Sequence, residues 1–221
     1  MRRQCASAVA IMLLIVGSVH ADDATPTGPS PEEAKEGFVA LFDGKTLDGW
    51  QGDVKGYAAV NGTMLCKPGG NLFTVKEYAN FVLRFEFKLP PAGNNGVGSR
   101  TSLKGDAAYA GMEIQILDDS DPSYKDLQPY QFHGSIYGVV PAKRGALKPV
   151  GQWNREEIVA NGSHIKVTVN GHVIVDADLS KIDKTMDHQQ HPGLHNAKGY
   201  IGWLGHGDPV AFQHVRIKPL P

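Results

Sequence analysis

The sequence predicts an all-β domain in which two antiparallel sheets pack face to face. Three observations carry this. After Gly37, apolar residues recur with period two: Phe81, Leu83, Phe85, Phe87 and Leu89 point one way, and Val82, Arg84, Glu86 and Lys88 the other. The pair Asn-Gly recurs at residues 61–62, 161–162 and 170–171. It is the strongest short hairpin signal, because a type I′ turn needs φ > 0 at both central residues. No stretch of about 12 residues sustains a helical period. Roughly a dozen short strands with turn signals between them suit a sandwich rather than an α/β fold.

The elements follow in order. Residues 1–21 read as a secretory signal: Arg2 and Arg3, then the apolar run Val9 to Val16, then Val19-His20-Ala21 with small residues at −3 and −1. The run is too short to span a bilayer. The protein is therefore expected to be exported, to the periplasm or beyond. Residues 22–36, with Thr25-Pro26-Thr27-Gly28-Pro29-Ser30-Pro31, read as a flexible tether. At most a turn is expected at Pro31 to Glu36, and another at Leu179 to Met186. The folded domain is expected over residues 37–221.

Strands are expected at Phe38 to Phe42, around Asn61-Gly62, at Phe81 to Leu89, at Met112 to Leu117, and in a three-stranded meander over residues 155–177. Tyr200 to Leu204 and Val210 to Ile217 form a closing pair. Loss of residues 1–21 removes Arg2 and Arg3, leaving 20 basic and 23 acidic side chains, a net charge of −3. That balance offers nothing to nucleic acid or to an anionic membrane surface. Cys66 is then the one remaining cysteine, so no internal disulfide forms and the core must supply the stability.

Four segments carry candidate chemistry. Gly93-Asn94-Asn95-Gly96-Val97-Gly98-Ser99-Arg100 reads as a turn leading into a strand. Asn94, Asn95 and Arg100 could there hydrogen-bond vicinal hydroxyls, or could form a plain turn with a surface arginine. In Glu113-Ile114-Gln115-Ile116-Leu117-Asp118, Glu113 and Gln115 share a polar face. Asp118 joins them only if a bulge shifts the phase. The spacing is similar to the Glu-x-Asp-x-x-Glu of sandwich-fold glucanases, with Gln115 where the middle acid would stand. His206 lies in the Gly-rich turn Gly205-His206-Gly207, suited to close approach by a ligand and to proton transfer. Asp187, His188, His191 and His195 crowd one loop, but Pro192-Gly193 prevents a helix from aligning them. A polar rim is expected there, and no spacing requires a metal or other cofactor. Among the aromatics, Tyr137 and Trp153 are candidates to stack on a sugar ring.

On these residues the chain resembles a known family. The resemblance rests on Leu41-Phe42-Asp43-Gly44-Lys45-Thr46-Leu47-Asp48-Gly49-Trp50, the Phe81 to Phe87 strand, Asn94-Asn95-Gly96-Val97 with Arg100, and Glu113 to Asp118. Gly134-Ser135-Ile136-Tyr137, Gly151-Gln152-Trp153-Asn154, Val169-Asn170-Gly171, Gly205-His206-Gly207 and the final strand extend it to residues 36–219. The family is that of the 3-keto-disaccharide hydrolases. The resemblance implies a concanavalin A-like jelly-roll sandwich that acts on sugars oxidised at C3. Such a sugar is cleaved by removal of the C2 hydrogen and elimination of the glycosidic oxygen, which needs a base, an enolate stabiliser and an acid. Glu113, Asp118 and His206 are the candidates for base and acid. Asn94, Asn95, Arg100, Gln115, Tyr137 and Trp153 are the candidates for binding. The alternatives are a non-catalytic carbohydrate-binding module and a laminarinase-type glycosidase, the latter disfavoured by Gln115 in a carboxylate's place.

Overall fold

The computed structural model describes residues 27–221. The expected signal and the first part of the expected tether lie outside the described residues. Along the chain the first strands are β1 (Val39–Ala40), β2 (Trp50–Gly52), β3 (Tyr57–Val60), β4 (Thr63–Cys66), β5 (Asn71–Tyr78), β6 (Asn80–Lys88) and β7 (Asn94–Thr101). They are followed by β8 (Met112–Leu117), β9 (Trp153–Asn161), β10 (His164–Val169), β11 (His172–Asp178), β12 (Gly199–Leu204) and β13 (Ala211–Leu220). Two short helices are α1 (Pro31–Lys35) and α2 (Ala107–Ala110).

The strands form a jelly-roll sandwich of two antiparallel sheets. The larger has the order β11-β10-β9-β6-β13-β4-β3, with β1 also paired to β13, and the smaller has the order β2-β5-β12-β7-β8. Between them Trp203 of β12 stacks on Phe212 of β13 at 3.9 Å and lies 6.1 Å from Trp50. Phe81, Leu83, Phe85, Phe87 and Leu89 are all buried in this core, as their alternation requires. Fully burying each such side chain stabilises by about 1.5–3 kcal/mol.

The turns follow the Asn-Gly signals with one shift. Asn61-Gly62 and Asn170-Gly171 turn between paired strands with positive φ at both residues. In the third hairpin Asn161 pairs with His164, so the turn centres on Gly162-Ser163 instead. The expected tether needs a second correction. Within it, Ser30 caps α1 through a reciprocal capping box with Glu33. Glu33 then bonds Arg84 at 3.0 Å and Arg216 at 2.8 Å, fastening α1 to the outer face of the larger sheet. Of the turn expected at Leu179 to Met186, only Leu179–Lys181 forms a 3-10 turn. Among the described residues, no helix is long and apolar enough to cross a membrane.

Candidate functional site

The site lies on the face of the smaller sheet that points away from the core. β8 alternates strictly. Met112, Ile114 and Ile116 enter the core, which leaves Glu113, Gln115 and Leu117 on the opposite face. In register beside them, β7 sets Gly98 against Glu113, Gly96 against Gln115 and Asn94 against Leu117. The glycines have a steric purpose: a Cβ on Gly96 would overlap the Glu113 carboxylate. Glu113 thus lies down across a glycine floor at the base of a cleft of about 320 Å³.

The walls come from elsewhere in the chain. Asp106, Ala107, Ala108 and Tyr109 belong to α2 and its cap, and Tyr124, Leu127, Gln131 and Tyr137 to the long segment after β8. That segment is held to the edge of β8 by backbone bonds from Gln115 N to Ser135 O at 3.0 Å and from Tyr137 N to Glu113 O at 2.9 Å. His206 stands exposed at the mouth. Its loop is fixed by Asp208, whose carboxylate accepts from the backbone N–H of Asn94 at 3.0 Å.

The floor is electrostatically unusual. Glu113 is only 5% exposed, and its Oε1 has no hydrogen-bond partner. Burial, and secondarily the charge of Asp106, push its carboxyl up to about 8. The side-chain oxygens of Gln115 and Asn94 are likewise buried and unpaired. Three acceptors therefore face the cleft unsatisfied, a costly arrangement that a donor-rich ligand such as a polyol would relieve. The Tyr137 hydroxyl accepts from Gln131 Nε2 at 3.1 Å, which leaves its own proton free to donate.

Of the residues expected from sequence, the fold brings Asn94, Glu113, Gln115, Tyr137 and His206 together in this cleft. Four others are corrected. Asn95 neighbours Asn94 in an extended strand, so it points into the core, fully buried. Arg100 adopts φ 50°, which breaks the alternation of β7. Its guanidinium donates to Ala79 O at 2.7 Å, Gly162 O at 2.7 Å and Asn80 Oδ1 at 3.1 Å, so it fastens turns and does not meet the cleft. Asp118 follows β8 without a bulge. It accepts from Ala92 N at 2.9 Å and Ser120 Oγ at 2.6 Å, holding the strand end together. Trp153 lies on β9, in the larger sheet, with Lys88 Nζ 4.8 Å from its ring centre.

Asp106, Tyr124 and Gln131 also line the cleft, as does Tyr109, one of the aromatics spread through the domain; none of the four is among the site residues expected from sequence. Asp106 before Ala107-Ala108 carries a helix-cap signal, and its side chain does accept from Ala108 N at 3.0 Å, but capping says nothing of a cleft. In the histidine-rich loop, His191 Nε2 bonds Asp187 at 3.0 Å, while His188 and His195 are exposed. Among the described residues no group of three or more His, Cys, Asp or Glu is gathered as a metal site.

Comparison with known proteins identifies the family and the fold. Residues 37–218 match the family described as the 3-keto-alpha-glucoside-1,2-lyase-like domain. The chain is 27% identical to a 3-keto-disaccharide hydrolase of Bacteroides thetaiotaomicron over 229 aligned residues, covering 84% of this chain and 79% of that protein. A crystal structure from Parabacteroides distasonis, named as a proposed glycosyl hydrolase, is 30% identical with a TM-score of 0.72, covering 80% of this chain and 96% of that one. A carbohydrate-binding module from Bacillus subtilis superposes with a TM-score of 0.51 at 13% identity, covering 76% of this chain and 94% of that one, a likeness of fold alone.

Proposed function

Because the chain belongs to the 3-keto-alpha-glucoside-1,2-lyase-like family, we propose that its cleft breaks the glycosidic bond of 3-keto-glycosides by elimination across C1 and C2. The carbonyl at C3 acidifies the hydrogen on C2. Glu113 takes that proton. The C2–H electrons become the C1=C2 double bond, and the C1–O bond breaks onto the departing oxygen. His206, at the mouth, supplies the proton that oxygen needs. Tyr137 donates to the C3 oxygen as negative charge grows there, and Gln115 and Asn94 accept from sugar hydroxyls. Water then adds at C1 and a proton returns to C2, so the net result is hydrolysis.

One observation carries this reading: a carboxylate without a partner, buried under an open polar cleft and raised to about 8. A base of that strength is far better matched to a carbon acid than an ordinary carboxylate is. The test is release of aglycone from a 3-keto-glucoside. Glu113→Gln is expected to lower kcat about 10²–10⁴-fold. With Glu113 as base, kcat/KM of the native chain should climb with pH and level off above about 8. Cleavage of unoxidised disaccharides instead, or a Glu113→Gln variant of undiminished rate, would overturn the assignment. Saturable retention on a glycan with no product would favour the binding-module alternative. We also read residues 1–21 as an export signal, which places this chemistry outside the cytoplasm; an intact N-terminus on the mature protein would refute it.

A further inference from the structure

The loop carrying Asp187 and His191 has no side chain in the cleft described above, yet it touches two of the cleft's walls. From its N-terminal half, Met186 N and Asp187 N both donate to Gly138 O, at 2.7 and 3.1 Å, directly behind Tyr137. From its C-terminal half, Gly193 N donates to Tyr109 O at 2.9 Å and Asn196 Nδ2 to Ala110 O at 3.0 Å. Gly193 lies so close to the backbone of Ala110 and Gly111 that a Cβ would overlap it. A four-residue helix such as α2 has little stability of its own, so these contacts decide where Tyr109 stands.

Inside the loop, Asp187 and His191 form a shielded pair, with side chains 8% and 2% exposed. One oxygen of Asp187 accepts from Gln189 N at 3.0 Å and the other bonds His191 Nε2 at 3.0 Å. The carboxylate is fixed by the turn it caps, and it fixes the imidazole in turn. The imidazole lies against the ring of Tyr109, with centres 4.6 Å apart and planes at 44°. Burial, then the nearby Asp187 charge, hold the Tyr109 phenol above its ordinary value, and its hydroxyl is drawn toward that carboxylate, so it stays protonated with its oxygen left to accept from a sugar hydroxyl.

We propose that Tyr109 hydrogen-bonds the sugar from the cleft wall, and that Asp187 and His191 are positioning residues that hold its ring in place. This rests on the cleft being the site of 3-keto-glycoside turnover. The experiment compares the native chain with Tyr109→Phe, His191→Ala, His191→Gln and the double variant Tyr109→Phe/His191→Ala, using a 3-keto-glucoside. Tyr109→Phe and His191→Ala are each expected to reduce kcat/KM about 10- to 100-fold. His191→Gln keeps a donor for Asp187 and a planar group for the ring, and should restore the rate to within about threefold of native. The double variant should be no worse than Tyr109→Phe alone, because both changes remove one interaction.

Losses that multiply in the double variant would overturn the proposal, as would an unaffected His191→Ala enzyme. So would equal losses in His191→Ala and His191→Gln. If the native chain turns over no keto-glycoside, the catalytic reading fails and calorimetric binding of 3-keto-glucose to the same variants decides this one. Unchanged affinity in Tyr109→Phe and His191→Ala would then refute it.

Discussion

At the scale of single residues, the site depends on what stands next to Glu113 as much as on Glu113 itself. Gly96 leaves the space in which the carboxylate lies. Gly96→Ala would displace that flexible side chain rather than backbone, so the fold should survive with thermal stability changed by only about 1 kcal/mol. The displaced carboxylate should cost about 100-fold in kcat. Measuring the melting temperature beside turnover of a 3-keto-glucoside checks this. A variant that folds and retains its rate would show that the glycine is not needed to place Glu113.

At the scale of elements, two side chains do structural work that their neighbours' chemistry could disguise as function. Arg100 donates to the β5–β6 turn at Ala79, to Asn80 and to the β9–β10 turn at Gly162. Arg100→Ala leaves the Ala79 and Gly162 carbonyls without their side-chain donor, at roughly 1–3 kcal/mol for each that water cannot reach, while Asn80 Oδ1 keeps its bond from Gly162 N at 2.9 Å. The expected outcome is a large fall in melting temperature with KM unchanged. A normal melting temperature together with a raised KM would return Arg100 to the binding role its sequence suggested. Asn170 is similar in kind: at φ 50° it donates to Ala146 O and Asn154 Oδ1 and accepts from Arg155 N. It joins the β10–β11 turn to the long connection before β9.

At the scale of the whole molecule, buried titratable groups set how stability depends on pH. His133 and Glu156 face each other in the core, with Nε2 and Oε2 3.7 Å apart. Leu117 N donates to His133 Nδ1 at 3.3 Å, which fits a neutral imidazole with its proton on Nε2. Burial lowers His133 to about 3 and raises Glu156 well above the ordinary carboxylate range. A depressed histidine contributes stability that is lost as pH falls below about 6.5 toward its folded value. Glu33 acts in the same direction at lower pH: burial alone would raise it, but bonds to Arg216, Ser30 N–H and Arg84 hold it at about 2. Raised carboxyls do the opposite, and the stability owed to neutral Glu113 and Glu156 is lost as pH climbs above about 4.5. Between about pH 4.5 and 6.5 the two raised carboxyls outweigh the one depressed histidine, so the melting temperature should peak at about pH 4.5–5 and fall on both sides. Glu113→Gln should flatten the alkaline limb, giving a variant more stable than native at pH 9 and little different at pH 4. A native melting temperature that is level from pH 5 to 9 would refute the assignment of these two carboxyls.

What the sequence by itself determined was local. Period two made Phe81 to Leu89 a core strand and placed Glu113 and Gln115 on one face, because successive side chains in an extended chain must point to opposite sides. Asn-Gly pairs announced two hairpins outright, because few other residues tolerate their backbone. The same alternation could have separated Asn95 from Asn94, and Asp118 from Glu113. The tertiary structure decided everything that depends on which strands become neighbours. That β7 lies beside β8, with α2, the segment after β8 and the His206 loop raised around them, follows from sheet order. No local rule specifies that order. The left-handed kink at Arg100 and the turns that claim its guanidinium are likewise products of packing. The hollow lined by residues 94, 106, 113, 137 and 206 exists only once long-range strand pairing has brought those positions together.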